Sequence, residues 1–546
     1  MASPGRPSVL LMSVLLLLSA GIVSTAGKQK ESKNKVKAVS KETGKFLLDH
    51  TEKISNAVVP FLSLIQPDGS LISAIVNVVL ILASVVNKNL KDDPTLKYLK
   101  FQFDNVNLKL DKYHEEQIWA SWASGPFHKP EKHIEVGWTT LKTFVGSLLE
   151  SKDIHEQQRH RDEFIHAYSK YEPATKTLHE FLKPKTISFI ENLGLKLADH
   201  SKCHEKDLRD YSAFINELIY KGNTMNQLYY KLKKIDSPAR VKEAADIAYE
   251  SAAALFQLQL YCIEKSDDYI KTDVLGLIDD TKDRKGLAEK VWSFLEKTYD
   301  RHDWMVVSFL TKNSQHSNAK TLNKHVLDGF TNVTKGEVSV AVARQVKGTH
   351  TRAADVKTAI ERCLGKSVLC HKVAEQLGNC QEPVGNAADR IPVSQTYTAV
   401  HAFRAKAHDS HAAKTIQDKI VEEDFVPGGT TPYVYAGKCQ KDPLINTGEF
   451  VVLIKSDEEM LKPDPCSNLD CGGPQRGDCV PVETIVAVCK CKKPYYGKKC
   501  ENSLNDYEKA LNKEIDIKSD EFKNVLKKLD ELDSNQRRPI LVSRQR

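Results

Sequence analysis

Residues 94–113 read PTLKYLKFQFDNVNLKLDKY, and within them Leu96, Leu99, Phe103, Val106, Leu110 and Tyr113 recur in steps of 3, 4, 3, 4 and 3. That spacing is the seam of a heptad repeat and predicts an amphipathic helix. Asp92, Asp93 and Pro94 stand before it, and acids followed by proline suit a helix start. Gly125-Pro126 stops whatever follows. Further on, Trp138, Leu141, Val145 and Leu148 repeat the spacing, as do Phe164, Tyr168 and Tyr171. Such stripes must bury against one another. Residues 27–347 are therefore read as one elongated helical bundle, and the fold class as mainly α.

Upstream lies an apolar stretch. Val58 through Ile65 is followed by the turn Gln66-Pro67-Asp68-Gly69, and Ser70 through Val86 then runs seventeen residues without a charge. Two apolar limbs about a tight turn predict a hairpin. Its second limb, with Val76, Val79, Ile81 and Val85, is apolar all round and belongs either in a core or in lipid. In the first reading it is the centre of the bundle. In the second it is sheathed in the stored protein and released into a membrane. Seventeen residues of helix rise about 25 Å, slightly less than a hydrocarbon core of about 30 Å.

The first 26 residues carry one charge, Arg6, then an apolar run from Val9 to Val23, then Ser24, Thr25 and Ala26. This is the order of a cleaved secretory signal. Secretion implies that the twelve cysteines are mostly paired. It also makes the sequon at Asn332 a glycosylation candidate. The formal net charge is +7, from 79 Lys and Arg against 72 Asp and Glu. That is a mixed surface without a dense basic patch, so nucleic acid is not an expected partner.

Cys203 and Cys262 lie in the helical region and are each other's natural partners by location. From 348 to 462 the texture changes to short strand-like runs, such as Phe450–Ile454, with Cys363, Cys370, Cys380 and Cys439 among them. This reads as a small mixed α/β module whose four cysteines allow three pairings, with nothing to choose between them. Residues 502–546 carry Phe522, Val525, Leu529 and Leu532 at helical spacing and read as a charged, solvated helical tail. No apolar C-terminal anchor is expected.

Between these last two regions, within residues 463–501, Cys466, Cys471, Cys479, Cys489, Cys491 and Cys500 are separated by four, seven, nine, one and eight residues. A module so small needs disulfides in place of a core. With Tyr495-Tyr496-Gly497 between the fifth and sixth cysteines, it resembles the EGF family. That resemblance implies the pairs Cys466–Cys479, Cys471–Cys489 and Cys491–Cys500. Only Asp464 precedes the first cysteine where the calcium-binding subtype has an acidic cluster, so no calcium site is expected. Arg476-Gly477-Asp478 is a candidate integrin motif, although a glycine and a polar residue before the third cysteine are ordinary in such modules.

Catalysis finds little support. His114-Glu115 and His155-Glu156 lack the second histidine of a zincin helix. No Gly-x-Ser-x-Gly elbow occurs. No cofactor, metal or enzymatic activity is expected.

Taken along the chain, the broken apolar hairpin is followed by Phe103-Asp104-Asn105-Val106-Asn107, Leu110-Asp111, Ile118-Trp119, Tyr171-Glu172, Cys203 and Cys262. This pattern resembles the SE-cephalotoxin family of secreted proteins over roughly the first 300 residues. The resemblance implies a toxin-like or membrane-active secreted protein. On that reading membrane lipid or a cell-surface receptor is the expected partner, and the heptad helix 96–113 is the surface for sheathing or for assembly of several copies. The thrombospondin type 1 and LDL-receptor class A cysteine patterns associated with the larger toxin are missing. That keeps open a second expectation, a non-toxic extracellular matrix or adhesion protein, a mineralised matrix included, whose EGF-like module contacts other matrix proteins.

Overall fold

The computed structural model describes residues 69–85, 94–111, 126–183, 192–279, 283–310, 316–318, 321–322, 325–346, 350–365, 368–384, 391–404, 410–411, 433–440, 447–461, 464–467, 469–481, 487–512 and 527. The signal segment, the first limb of the apolar hairpin, and Phe522, Val525, Leu529 and Leu532 lie outside them.

Among the described residues eight helices come first: α1 Gly69–Val85, α2 Pro94–Asp111, α3 His128–Glu150, α4 Ile154–Tyr168, α5 Ala174–Leu182, α6 Leu193–Ser201, α7 Glu205–Lys233 and α8 Pro238–Glu264. Local chemistry sets their ends. Asp153 accepts hydrogen bonds from the His155 and Glu156 amides at the start of α4. Ser237, followed by Pro238, caps α8. Packing follows the stripes. Leu99, Phe103 and Val106 of α2 are buried, and Phe103 stacks on Trp138 of α3 at 5.8 Å. Phe144 and Phe164 stack at 4.8 Å between α3 and α4.

Helix α7 is central and touches α1, α3, α4, α5, α6 and α8. It lies so close to α5 that a Cβ on Gly222 would stand 1.9 Å from Thr175 Oγ1. Only glycine tolerates that approach.

Helices α9 Ser266–Leu277 and α10 Arg284–Thr298 end the helical series, and the expected bundle boundary at 347 is corrected here. Residues 302–346 are mostly strand: β1 His302–Leu310, β2 His316–Asn318, β3 Thr321–Leu322, β4 His325–Asp328, β5 Thr331–Lys335 and β6 Val338–Val346. They join the elements that follow: α11 Ala353–Leu364, α12 Val373–Asn379, the short pair β7 Pro383–Val384 and β8 Ile391–Pro392, β9 Tyr397–Arg404, β10 Ser410–His411, β11 Tyr433–Gln440, β12 Thr447–Ile454 and α13 Asp457–Leu461. Two antiparallel sheets result, β10-β1-β6-β5 and β11-β12-β9-β4-β3-β2.

Strand parity sorts the side chains into layers. Trp304 and Val306 of β1, with Val340 and Val342 of β6, pack against α9 and α10. Their neighbours Met305, Val307, Phe309, Ala341 and Ala343 face Leu327, Ala399, Val451 and Leu453 of the second sheet. That sheet's far side, with Val400, Phe450 and Val452, lies on Val356, Ile360, Val373 and Leu377 of α11 and α12. The order is helices, sheet, sheet, helices. Strands buried on both faces lose their apolar–polar alternation, which is why β1 and β6 read as parts of helices.

The chain then forms β13 Gly477–Pro481 with β14 Ala487–Cys491, β15 Tyr495–Tyr496 with β16 Asn502–Ser503, and α14 Leu504–Asn512. Helix α14 is not solvated, as the tail was read. Leu504, Tyr507 and Leu511 are buried in the helical core against α1 and α8. Alongside, Tyr249 Oη donates to the Cys491 carbonyl at 3.0 Å. Lys493 pairs with Asp246 at 2.7 Å and Glu250 at 3.2 Å.

Candidate functional site

Helix α7 is buried almost all round, yet many of its side chains are polar. Asn223, Asn226, Gln227 and Tyr230 fall at i, i+3, i+4 and i+7, one stripe of the helix. They form the floor of a crevice of about 220 Å³ between α5, α7 and α8. Each floor side chain is anchored. Asn223 Nδ2 donates to the Ala244 carbonyl at 3.0 Å, and Gln227 Nε2 to the Arg240 carbonyl at 3.3 Å. Asn226 accepts from Tyr168 Oη at 2.5 Å and donates to the Glu172 carbonyl at 3.1 Å. Tyr230 Oη donates to Glu172, and burial first, then that carboxylate, pushes its phenol well above the usual range.

The rim is charged. Lys176 pairs with Glu243 at 2.6 Å, Arg240 with Glu243 at 3.4 Å, and Arg240 approaches Glu172 at 3.9 Å. The Arg240 guanidinium lies 4.8 Å from the Tyr230 ring centre. Pro173, Ala244 and Ile247 complete the wall with apolar surface.

At the other end of α7 a second polar cluster joins the helical and sheet regions. Glu205 forms a buried bidentate pair with Arg301 just before β1. Arg209 holds Asp300 through two bonds of 3.1 and 2.7 Å. His204 reaches Asp273 at 3.0 Å, and Tyr299 Oη donates to the same carboxylate at 2.8 Å. Burial pulls the His204 imidazole down, but hydrogen bonds from its ring to Asp207 and Asp273 outweigh that and carry it to about 9. Among the described residues no group of three His, Cys, Asp or Glu could hold a metal ion.

The residues singled out in the sequence are scattered over the fold. Val76, Val79 and Ile81 are buried in α1 against α2, α7 and α14. The side chain of Val85 is outside the described residues. Among the described residues no helix is long and apolar enough to cross a membrane. Cys203 is bonded to Cys262, tying the start of α7 to the end of α8. The four middle cysteines pair as Cys363–Cys380 and Cys370–Cys439. The last six pair as Cys466–Cys479, Cys471–Cys489 and Cys491–Cys500.

Asn332 is half-buried on the edge strand β5. Arg476-Gly477-Asp478 enters β13, not the tip of a loop. Arg476 lies over the Tyr495 ring at 5.1 Å, and Asp478 pairs with Lys492 at 2.9 Å. A Cβ on Gly477 would stand 2.5 Å from Cys500 Sγ.

Sequence reasoning passed over the α7 stripe, because apolar periodicity assigns polar positions to solvent. The usable signal was Asn223-Thr224-Met225-Asn226-Gln227 inside a helix too long and too central to have a wet face. No curated protein and no solved structure matches the chain. The helical region that contains α7, its crevice and the Cys203–Cys262 bridge is similar to one known family: residues 88–284 match the cephalotoxin-like middle helical domain.

Proposed function

We propose that this is a secreted, toxin-like protein that acts on membranes through α1, which is kept covered by α14 until release. One observation carries the reading. A helix of seventeen residues without a charge lies in the helical core against α2 and α7, and the short helix α14 covers it with Leu504, Tyr507 and Leu511. If α14 leaves, the face of α1 beneath it meets water, and lipid is the alternative that buries it while the helix keeps its own backbone bonds. The cephalotoxin-like match agrees with a toxin-like role.

Six disulfides fit an oxidising, extracellular compartment. The pairings over 466–500 are those that an EGF-like module implies, and in this reading that module is the arm that carries α14 to its seat. The adhesion reading draws little from Arg476-Gly477-Asp478, since both charged side chains are engaged within the module.

The test is dye release from anionic and neutral liposomes by the oxidised mature protein across pH. Release that disappears in Val76→Asp, with helical circular dichroism retained, is the expected result. No release under any condition from protein shown to be folded would end the proposal.

A further inference from the structure

We infer that the crevice between α5, α7 and α8 is a binding site for a neutral sugar ring, the terminal residue of a glycan. The argument starts from charge. Lys176 and Arg240 are matched at the rim by Glu243 and Glu172, each within 3.9 Å of a cationic partner. A phosphate, carboxylate or amine would have to break one of these pairs, whereas a neutral ligand leaves them in place.

The floor supplies the complementary chemistry. A side-chain amide has two N–H donors and a carbonyl acceptor. Asn223 and Gln227 each spend one N–H on a backbone carbonyl. Among the described residues their remaining donor and acceptor are uncommitted. Adjacent donors and acceptors on a rigid floor match the alternating roles of neighbouring hydroxyls. Asn223 is 4% exposed and Gln227 2% exposed, so hydroxyls that meet them do so largely out of water, where an unmet polar group is costly. Pro173, Ala244 and Ile247 offer apolar surface to the C–H face of a ring.

Size limits the ligand. At about 220 Å³ the crevice is smaller than the range of about 300–1,000 Å³ usual for drug-sized ligands. One ring enters and the rest of a glycan stays outside. The floor is already fixed by Tyr168, Glu172 and the backbone of α8, so little ordering is needed on binding. The site is independent of α1 and of its release.

The experiment is saturation-transfer NMR on the oxidised full chain with free hexoses, N-acetylhexosamines and their methyl glycosides, with glycine and inorganic phosphate as charged probes. Binding of at least one neutral sugar, with a Kd on the order of millimolar, is expected. It should weaken about tenfold or more in Asn223→Ala and in Gln227→Ala, each of which removes one floor amide. The second variant serves if the first fails to fold. Methyl glycosides that bind as well as the free sugars support a glycan terminus. A requirement for the free reducing sugar overturns that part and leaves a soluble sugar as ligand. No neutral sugar bound by folded protein, only the charged probes bound, or binding unchanged in folded Asn223→Ala or Gln227→Ala would each overturn the site.

Discussion

Replacing Leu511 by alanine should loosen α1 without loosening the sheets. Leu511 is fully buried with Leu504 and Tyr507 in the core that α14 shares with α1 and α8. Truncating a buried leucine costs about 2–5 kcal/mol. The other ties of this end of the chain are weaker. The Lys493 pairs with Asp246 and Glu250 lie at the surface and contribute at most about 1 kcal/mol each. The Tyr249–Cys491 hydrogen bond contributes about 1 kcal/mol. Apolar burial therefore dominates docking, and even the lower figure of about 2 kcal/mol multiplies the undocked population about 30-fold. Hydrogen exchange read by mass spectrometry measures this directly. Peptides over 504–512 and 69–85 should exchange faster by about that factor, while those over β1 and β6 keep their protection. Dye release should rise in the same variant. Unchanged protection of 69–85, or a uniform rise across the chain, would refute the covering role of α14.

Three further outcomes follow from the geometry. Burial first, and then the neighbouring His325, holds the His401 imidazole well below its usual range. The two rings, on the neighbouring strands β4 and β9 of the second sheet, share a hydrogen bond of 2.9 Å. Below pH 6.5 the unfolded chain binds a proton that the folded one refuses, so His401 lowers stability by about 1.4 kcal/mol per pH unit there. Melting curves from pH 7.5 to 5 should be flatter for His401→Gln, and an identical slope would count against it. Gly222→Ala should destabilise by about 1–2 kcal/mol, because overpacking against Thr175 outweighs the roughly 1 kcal/mol gained in helix propensity. Thr175→Ala should recover part of that loss in denaturant titrations, whereas a stabilised Gly222→Ala would show that α5 and α7 are not in such close contact. Glu205→Gln removes the negative charge from the buried bidentate pair with Arg301 and should cost about 3–5 kcal/mol. A shift in denaturation midpoint worth less than 1 kcal/mol would mean that water reaches the pair.

The helical stripes were legible because each helix has one apolar face and a period that only a helix satisfies. Leu99, Phe103 and Val106 are buried on α2, and Trp138, Leu141 and Leu148 on α3. The strands of 302–346 were not legible, because sheets covered on both sides write no alternation into the chain. Gln157, Asn216 and Glu217 on α4 and α7 show the same failure for polar residues: all three are buried, and nothing in their spacing says so.

By itself the sequence determined a mainly helical chain with twelve cysteines, a charge-free apolar segment from Ser70 to Val86 and a cysteine-dense module near its end. These depend on composition and on periods within a few turns of chain. Tertiary structure alone decided that Cys370 meets Cys439 across 69 residues, that α14 closes over α1, and that Asn223 and Gln227 face a crevice. Each of those is a contact between segments far apart in the chain. Whether such groups meet depends on how the layers stack, which no local pattern encodes.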